Sequence, residues 1–171
     1  LVLLLISITF RVTGQSTTAP EKEKPKATLD KEFATGSKIE LSALTRMQVN
    51  NLSILGKIWG FLKYHHPVMA KGNYNWDFEL FRIMPKILAV KNDAERNQLL
   101  VKWITDLGTF KTAAVKPVDA KQIKYRPNFD WFTTSGLSKT LVEQLNQIRI
   151  ADRTEENYYV KLYDVETPIA I

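Results

Sequence analysis

Two histidines, His65 and His66, stand side by side in a chain of 171 residues that has no others. Imidazole is the side chain that ordinarily titrates near neutral pH, so this pair is the first place to look for acid/base or metal chemistry. Neighbouring helical residues point about 100° apart, which prevents the pair from chelating one ion as an i, i+4 pair would. A helix end could still turn one ring toward Asp77 or Glu79; the plainer reading is a helix-terminal pair with one ring packed and one wet. Asp77 and Glu79 suit the first turn of a helix, where the dipole favours carboxylates, and a glycosidase pair would need them to face each other across a cleft. Ser53 and Lys57 lie one turn apart, but Ser53 starts an apolar helical stretch with no oxyanion-forming turn beside it. Ser138 next to Lys139 reads as a helix cap. No GxSxG, P-loop, GxGxxG or HExxH pattern occurs. Within this chain, therefore, no catalytic residue, metal ligand or cofactor site is assigned.

The elements that would hold these residues follow from hydrophobic spacing. Leu52, Leu55, Trp59 and Leu62, with Ile54, Ile58 and Phe61, form a stripe wide enough for a central buried helix, capped by Thr45 and running to about His65. Pro67 forbids further continuation and disfavours helical geometry at His66. Gly56 and Gly60 sit four apart on that helix and suggest close approach by another helix or backbone. Lys57 and Lys63 interrupt the stretch, which excludes a membrane-embedded GxxxG helix. Asn51-Leu52-Ser53 is formally a glycosylation sequon, discounted because it falls inside the helix.

Asn75 is expected to cap a second helix from about Trp76 to Val90, kinked or split by Pro85. Asp93 is expected to cap a third, with Leu99, Leu100, Trp103, Ile104 and Leu107 as its stripe and Gly108 as its stop. Residues 109–134 form a long connection that wraps the helices and pins itself through Phe129, Trp131 and Phe132. Ser138 caps a fourth helix through Ile148, and the alternation from Tyr158 to Tyr163 predicts a strand. The expected fold class is mainly α: a small bundle of about four helices with a long wrapping loop and one or two C-terminal strands that begin an incomplete sheet.

Composition sets the remaining bounds. With 44% hydrophobic and 25% charged residues, the chain fits one globular domain with appendages. Residues 1–14 read as a signal peptide whose n-region is missing, because LVLLLISITF is too short to span a bilayer and Val12-Thr13-Gly14 suits a cleavage site. Residues 15–38 are rich in Ser, Thr, Pro, Lys and Glu and read as a flexible linker. Residues 39–155 are the helical domain, and 156–171 the start of a β segment. The absence of cysteine removes disulfides and thiol nucleophiles. The net charge of +6 is spread out, and its local excess between Lys111 and Arg126 lacks interleaved aromatics, so a solvated loop is expected and not a nucleic-acid partner.

The run WGFLKYHHP, followed by NYNWD and then FRIMPKIL, resembles the N-terminal region of secreted serine peptidases of the C-terminal processing (tail-specific, tricorn-like) family, in the form common in Bacteroidetes-type bacteria. WITDLG and FDWF agree more loosely. The resemblance marks Trp59, Tyr64, His65, His66, Pro67, Tyr74, Trp76 and Asp77 as a family signature and candidate interface. It implies a noncatalytic N-terminal domain of an exported protein, periplasmic or secreted, with no stable membrane span after signal cleavage. In that family a downstream domain carries a nucleophilic serine and a lysine base and acts on peptide or protein substrates. Neither position falls within this chain, so the expected partner is the chain's own downstream peptidase domain. The alternative is a free-standing exported helical binding or adaptor module.

Overall fold

The computed structural model describes residues 24–113, 127–153 and 157–159. Seven helices occur among them: α1 Lys26–Leu29, α2 Arg46–His65, α3 Pro67–Ala70, α4 Trp76–Ala89, α5 Asp93–Asp106, α6 Trp131–Thr134 and α7 Lys139–Arg149. The mainly helical bundle expected from the spacing is what the chain adopts. Around α2, the longest helix, pack α3, α4 and α7, while α5 lies against α4 and α7. Its buried stripe of Ile54, Leu55, Ile58, Phe61 and Leu62 meets Trp76, Ile83 and Ile87 of α4, Leu100, Trp103 and Ile104 of α5, and Leu141, Leu145 and Ile148 of α7.

The boundaries of α2 have local causes. Thr45 Oγ1 accepts from the Gln48 amide at 3.2 Å and Gln48 Oε1 accepts from the Thr45 amide at 2.9 Å, a reciprocal cap that satisfies two otherwise orphaned donors. Gln48 also donates to the Leu88 carbonyl, tying the start of α2 to the end of α4. At the other end the residue before a proline avoids helical geometry, and His66 is extended at φ −87° and ψ 119°. Pro67 then occupies the first position of α3, where its missing donor is harmless.

Several expectations are corrected. Of the two effects expected of Pro85, a kink or a split, the split does not occur: α4 is one helix with Pro85 inside it, on its exposed side. The cap of α5 is Asn92, whose Oδ1 accepts from the Glu95 amide at 2.9 Å; Asp93 is the first helical residue and pairs with Arg96 instead. The glycines of α2 do not mark close approach among the described residues, since nothing lies within 4 Å of a Cβ built on either. Asn51, the sequon residue, is fully buried.

The largest correction concerns the linker. Its described part, residues 24–38, is docked. Ala27 is buried and its amide donates to the Gly72 carbonyl at 2.9 Å, Phe33 sets its ring edge-on against Phe78 and Phe81, each at 5.5 Å, and Asp30 and Glu32 converge with Glu79 on Arg82. Burial alone would lower the Arg82 pKa, but the hydrogen bonds that the guanidinium donates to the three carboxylates overcome it and hold it above its usual value. Folded structure thus begins well before Ile39.

Of the long connection, residues 127–134 place Phe129, Trp131 and Phe132 around Phe61, with the Phe61–Phe132 centroids 5.2 Å apart. A short antiparallel bridge pairs Thr112 with Ala151, flanked by bonds from the Ala113 amide to Ile150 and the Asp152 amide to Lys111. The expected strand from 156 onward, like the signal peptide and the first part of the linker, lies largely outside the described residues; Tyr158 and Tyr159 form a bend.

Candidate functional site

The corner where α2 ends and α4 begins gathers most of the signature residues. Trp59 Nε1 donates to the Trp76 carbonyl at 2.9 Å, and Trp76 Nε1 donates to the Trp59 carbonyl at 3.0 Å. This reciprocal clasp satisfies both buried indole donors and fixes how the two helices cross. On its other side Trp76, fully buried, stacks parallel on Trp103 of α5 at 5.2 Å. Asn75 Oδ1 caps α4 by accepting from the Phe78 amide, which sets Trp76 as the first helical residue and aims it inward.

The corner also captures the end of the described chain. The Tyr159 hydroxyl accepts from the Trp76 amide at 2.9 Å and donates to the Tyr74 carbonyl. One turn away the Tyr158 amide donates to the Ala70 carbonyl at 2.7 Å. Lys63 lies 5.0 Å from the Trp59 ring centre and 5.4 Å from that of Tyr159, with the Asp77 carboxylate 3.8 Å away. Burial, foremost, raises the Tyr159 pKa, so the hydroxyl keeps its proton and with it the bond to Tyr74. Gly72, at φ +67°, leaves room for the Tyr158 ring, which would stand 2.8 Å from a Cβ placed there.

The histidines serve different neighbours. His65 stacks on Phe61 at 4.4 Å, and its Nδ1 faces the Arg153 guanidinium, an arrangement that requires the neutral ring. Burial and then the Arg153 charge lower its pKa to about 4. His66 is buried and its Nδ1 accepts from the Val68 amide at 3.3 Å, capping α3. Its Nε2 is buried without a hydrogen-bond partner among the described residues. Burial lowers its pKa to about 4 as well. Both rings are therefore packed, and neither turns toward Asp77 or Glu79, which engage Lys63 and Arg82.

The remaining sequence candidates are not assembled. Ser53 and Lys57 lie exposed on α2, and no hydrogen bond joins them. Ser138 Oγ accepts from the Leu141 amide as a cap, while Lys139 reaches toward Glu143. Tyr64 is exposed and outside the corner. Among the described residues no three His, Asp or Glu side chains converge as a metal site, and no helix is long and apolar enough to cross a membrane. Beside the corner a groove of about 470 Å³ opens between α3 and the Thr112–Ala151 bridge, walled by Pro67, Val68 and Phe110 and rimmed by Lys111 and Arg153.

Sequence reasoning missed Tyr158, Tyr159, Ala70 and Arg153 as parts of the corner. Their only signal was the Tyr-Tyr alternation, which reads equally well as a strand. No family model, curated protein or solved structure matches this chain.

Proposed function

We propose that the chain is the noncatalytic helical N-terminal domain of an exported serine peptidase of the C-terminal processing type, and that its task is to hold the downstream chain in a fixed position. The resemblance of WGFLKYHHP, NYNWD and FRIMPKIL motivates the family. The observation that carries the positional role is the capture of Tyr158 and Tyr159 by Ala70, Tyr74 and Trp76. Residues of the signature thus spend their polar groups on the outgoing chain and on each other. A domain anchored this way supports its neighbour and borders substrate entry without touching the scissile bond; peptide hydrolysis belongs to a serine and a lysine beyond Ile171.

Sequencing the gene past Ile171 tests the reading. A downstream domain with a serine nucleophile and a lysine base is the expected result, and a stop codon directly after Ile171 overturns it in favour of a free-standing adaptor. The purified chain is expected not to cleave peptides and not to be labelled by a fluorophosphonate; labelling at Ser53 or Ser138 would contradict the assignment.

A further inference from the structure

Two segments far apart in sequence meet at one turn. α3 and the residues just after it form a connection between α2 and α4 that is too short to keep its geometry unaided. The Gly72 carbonyl there accepts from the Ala27 amide of the incoming segment at 2.9 Å, and the Ala70 carbonyl accepts from the Tyr158 amide of the outgoing one at 2.7 Å. Both segments also close over a single spot. Atoms of Pro25 and of the Tyr158 ring come within 3.2 Å of the point where a Gly72 side chain would begin, and Gly72 is buried although Lys71 and Asn73 on either side of it are exposed.

α4 repeats the pairing. Its first residue, Trp76, donates its amide to the Tyr159 hydroxyl. Phe78, Phe81 and Arg82 on the next turns hold Phe33, Asp30 and Glu32 of the incoming segment. Burial foremost, with the Asp30 charge among the weaker causes, raises the Tyr159 pKa, so an incoming carboxylate acts on the outgoing hydroxyl.

We propose that residues 24–38 are a strap that controls the hold on Tyr158 and Tyr159: with the strap docked the outgoing chain is gripped, and with the strap lifted the grip loosens. Lifting it takes Pro25 away from Gly72, leaves the Gly72 carbonyl without its donor, and opens to water the surface beside the Tyr158 ring. The Ala70 carbonyl, two residues away on the same turn, is then less firmly placed. Such linkage is reciprocal, so release of the tyrosines loosens the strap by the same factor. Asp30 and Glu32 are the strap's polar grip on Arg82, so whatever draws these carboxylates away reaches the outgoing chain without touching it.

Hydrogen exchange on the full chain tests the strap. Asp30→Asn/Glu32→Gln/Phe33→Ala weakens its hold on α4 and changes no residue hydrogen-bonded to either tyrosine. Exchange at the Tyr158 amide is expected to quicken about fivefold or more while helical dichroism is unchanged. Tyr159→Phe runs the test in reverse and decides it if the triple variant unfolds: exchange at the Ala27 amide is expected to quicken about fivefold or more. An unchanged Tyr158 rate in the folded triple variant, or an unchanged Ala27 rate in Tyr159→Phe, overturns the coupling. The inference rests on the capture of Tyr158 and Tyr159 and not on the peptidase family. A Tyr158 amide unprotected in the wild-type chain would remove that capture and the strap with it, whereas a protected amide indifferent to the strap overturns the coupling alone.

Discussion

The neutral state of His66 is written into its contacts. Nδ1 can accept from the Val68 amide only while it carries no proton, and the ring is 1% exposed. Its folded pKa of about 4 lies below the ordinary 6.5, so the unfolded chain binds the proton more readily. The stabilisation is therefore complete above pH 6.5 and drains away as pH falls toward 4. His65 against Arg153 titrates in the same direction. Denaturation midpoints are expected to drop between pH 7 and pH 5, above most carboxylate titration, and His66→Asn, which keeps an acceptor for the cap, should flatten that slope. Arg96 is fully buried and donates to Asp93, Asn51, Asn97 and the Gly136 carbonyl. Arg96→Ala strands the buried side-chain acceptors of Asn51 and Asn97 and is expected to cost about 3 kcal/mol in equilibrium unfolding. Neither role was legible from residue type. Histidine pairs suggest chemistry and arginines suggest surface until burial and partners are known.

At the scale of elements, the sequence located what is decided within a few residues. Thr45, Asn75 and Ser138 all cap as their spacing implies. The end of α2 at His65 follows from Pro67. Thr45→Ala is expected to lower stability by about 1 kcal/mol through loss of the reciprocal cap with Gln48, measured by urea unfolding. Where two neighbours could each cap, as Asn92 and Asp93 can, local rules could not choose. The choice is made by Arg96, which claims Asp93. Pro85 shows a similar limit: its effect depends on which face it occupies, and the exposed face lets α4 continue.

For the whole molecule, the docked segment before α2 was the least legible part. Its Lys, Glu and Pro content matches a tether, and what holds it is Arg82 together with two phenylalanines far along the chain. Deleting residues 1–37 is expected to lower stability by about 3 kcal/mol, chiefly from burial lost by Phe33 and Ala27 and from the ion pairs of Arg82; an unchanged unfolding midpoint would show the segment to be idle. The corner was not legible as a geometry, since the Trp59–Trp76 clasp and the Tyr159 bridge require the helix crossing to exist first. Tyr159→Phe removes that bridge alone and is expected to speed hydrogen exchange at the Trp76 amide while leaving α5 and α7 protected.

The parallel indoles of Trp76 and Trp103, with planes 1° apart, also make the corner visible to light. Transition dipoles held rigidly at that separation couple, so folding should produce a paired near-ultraviolet dichroism band that neither tryptophan gives alone. Trp103→Phe should collapse the pair to a single weak band. The α4–α5 junction thereby reports its own integrity, in real time and without a label, whenever the molecule is acidified, truncated or joined to a partner.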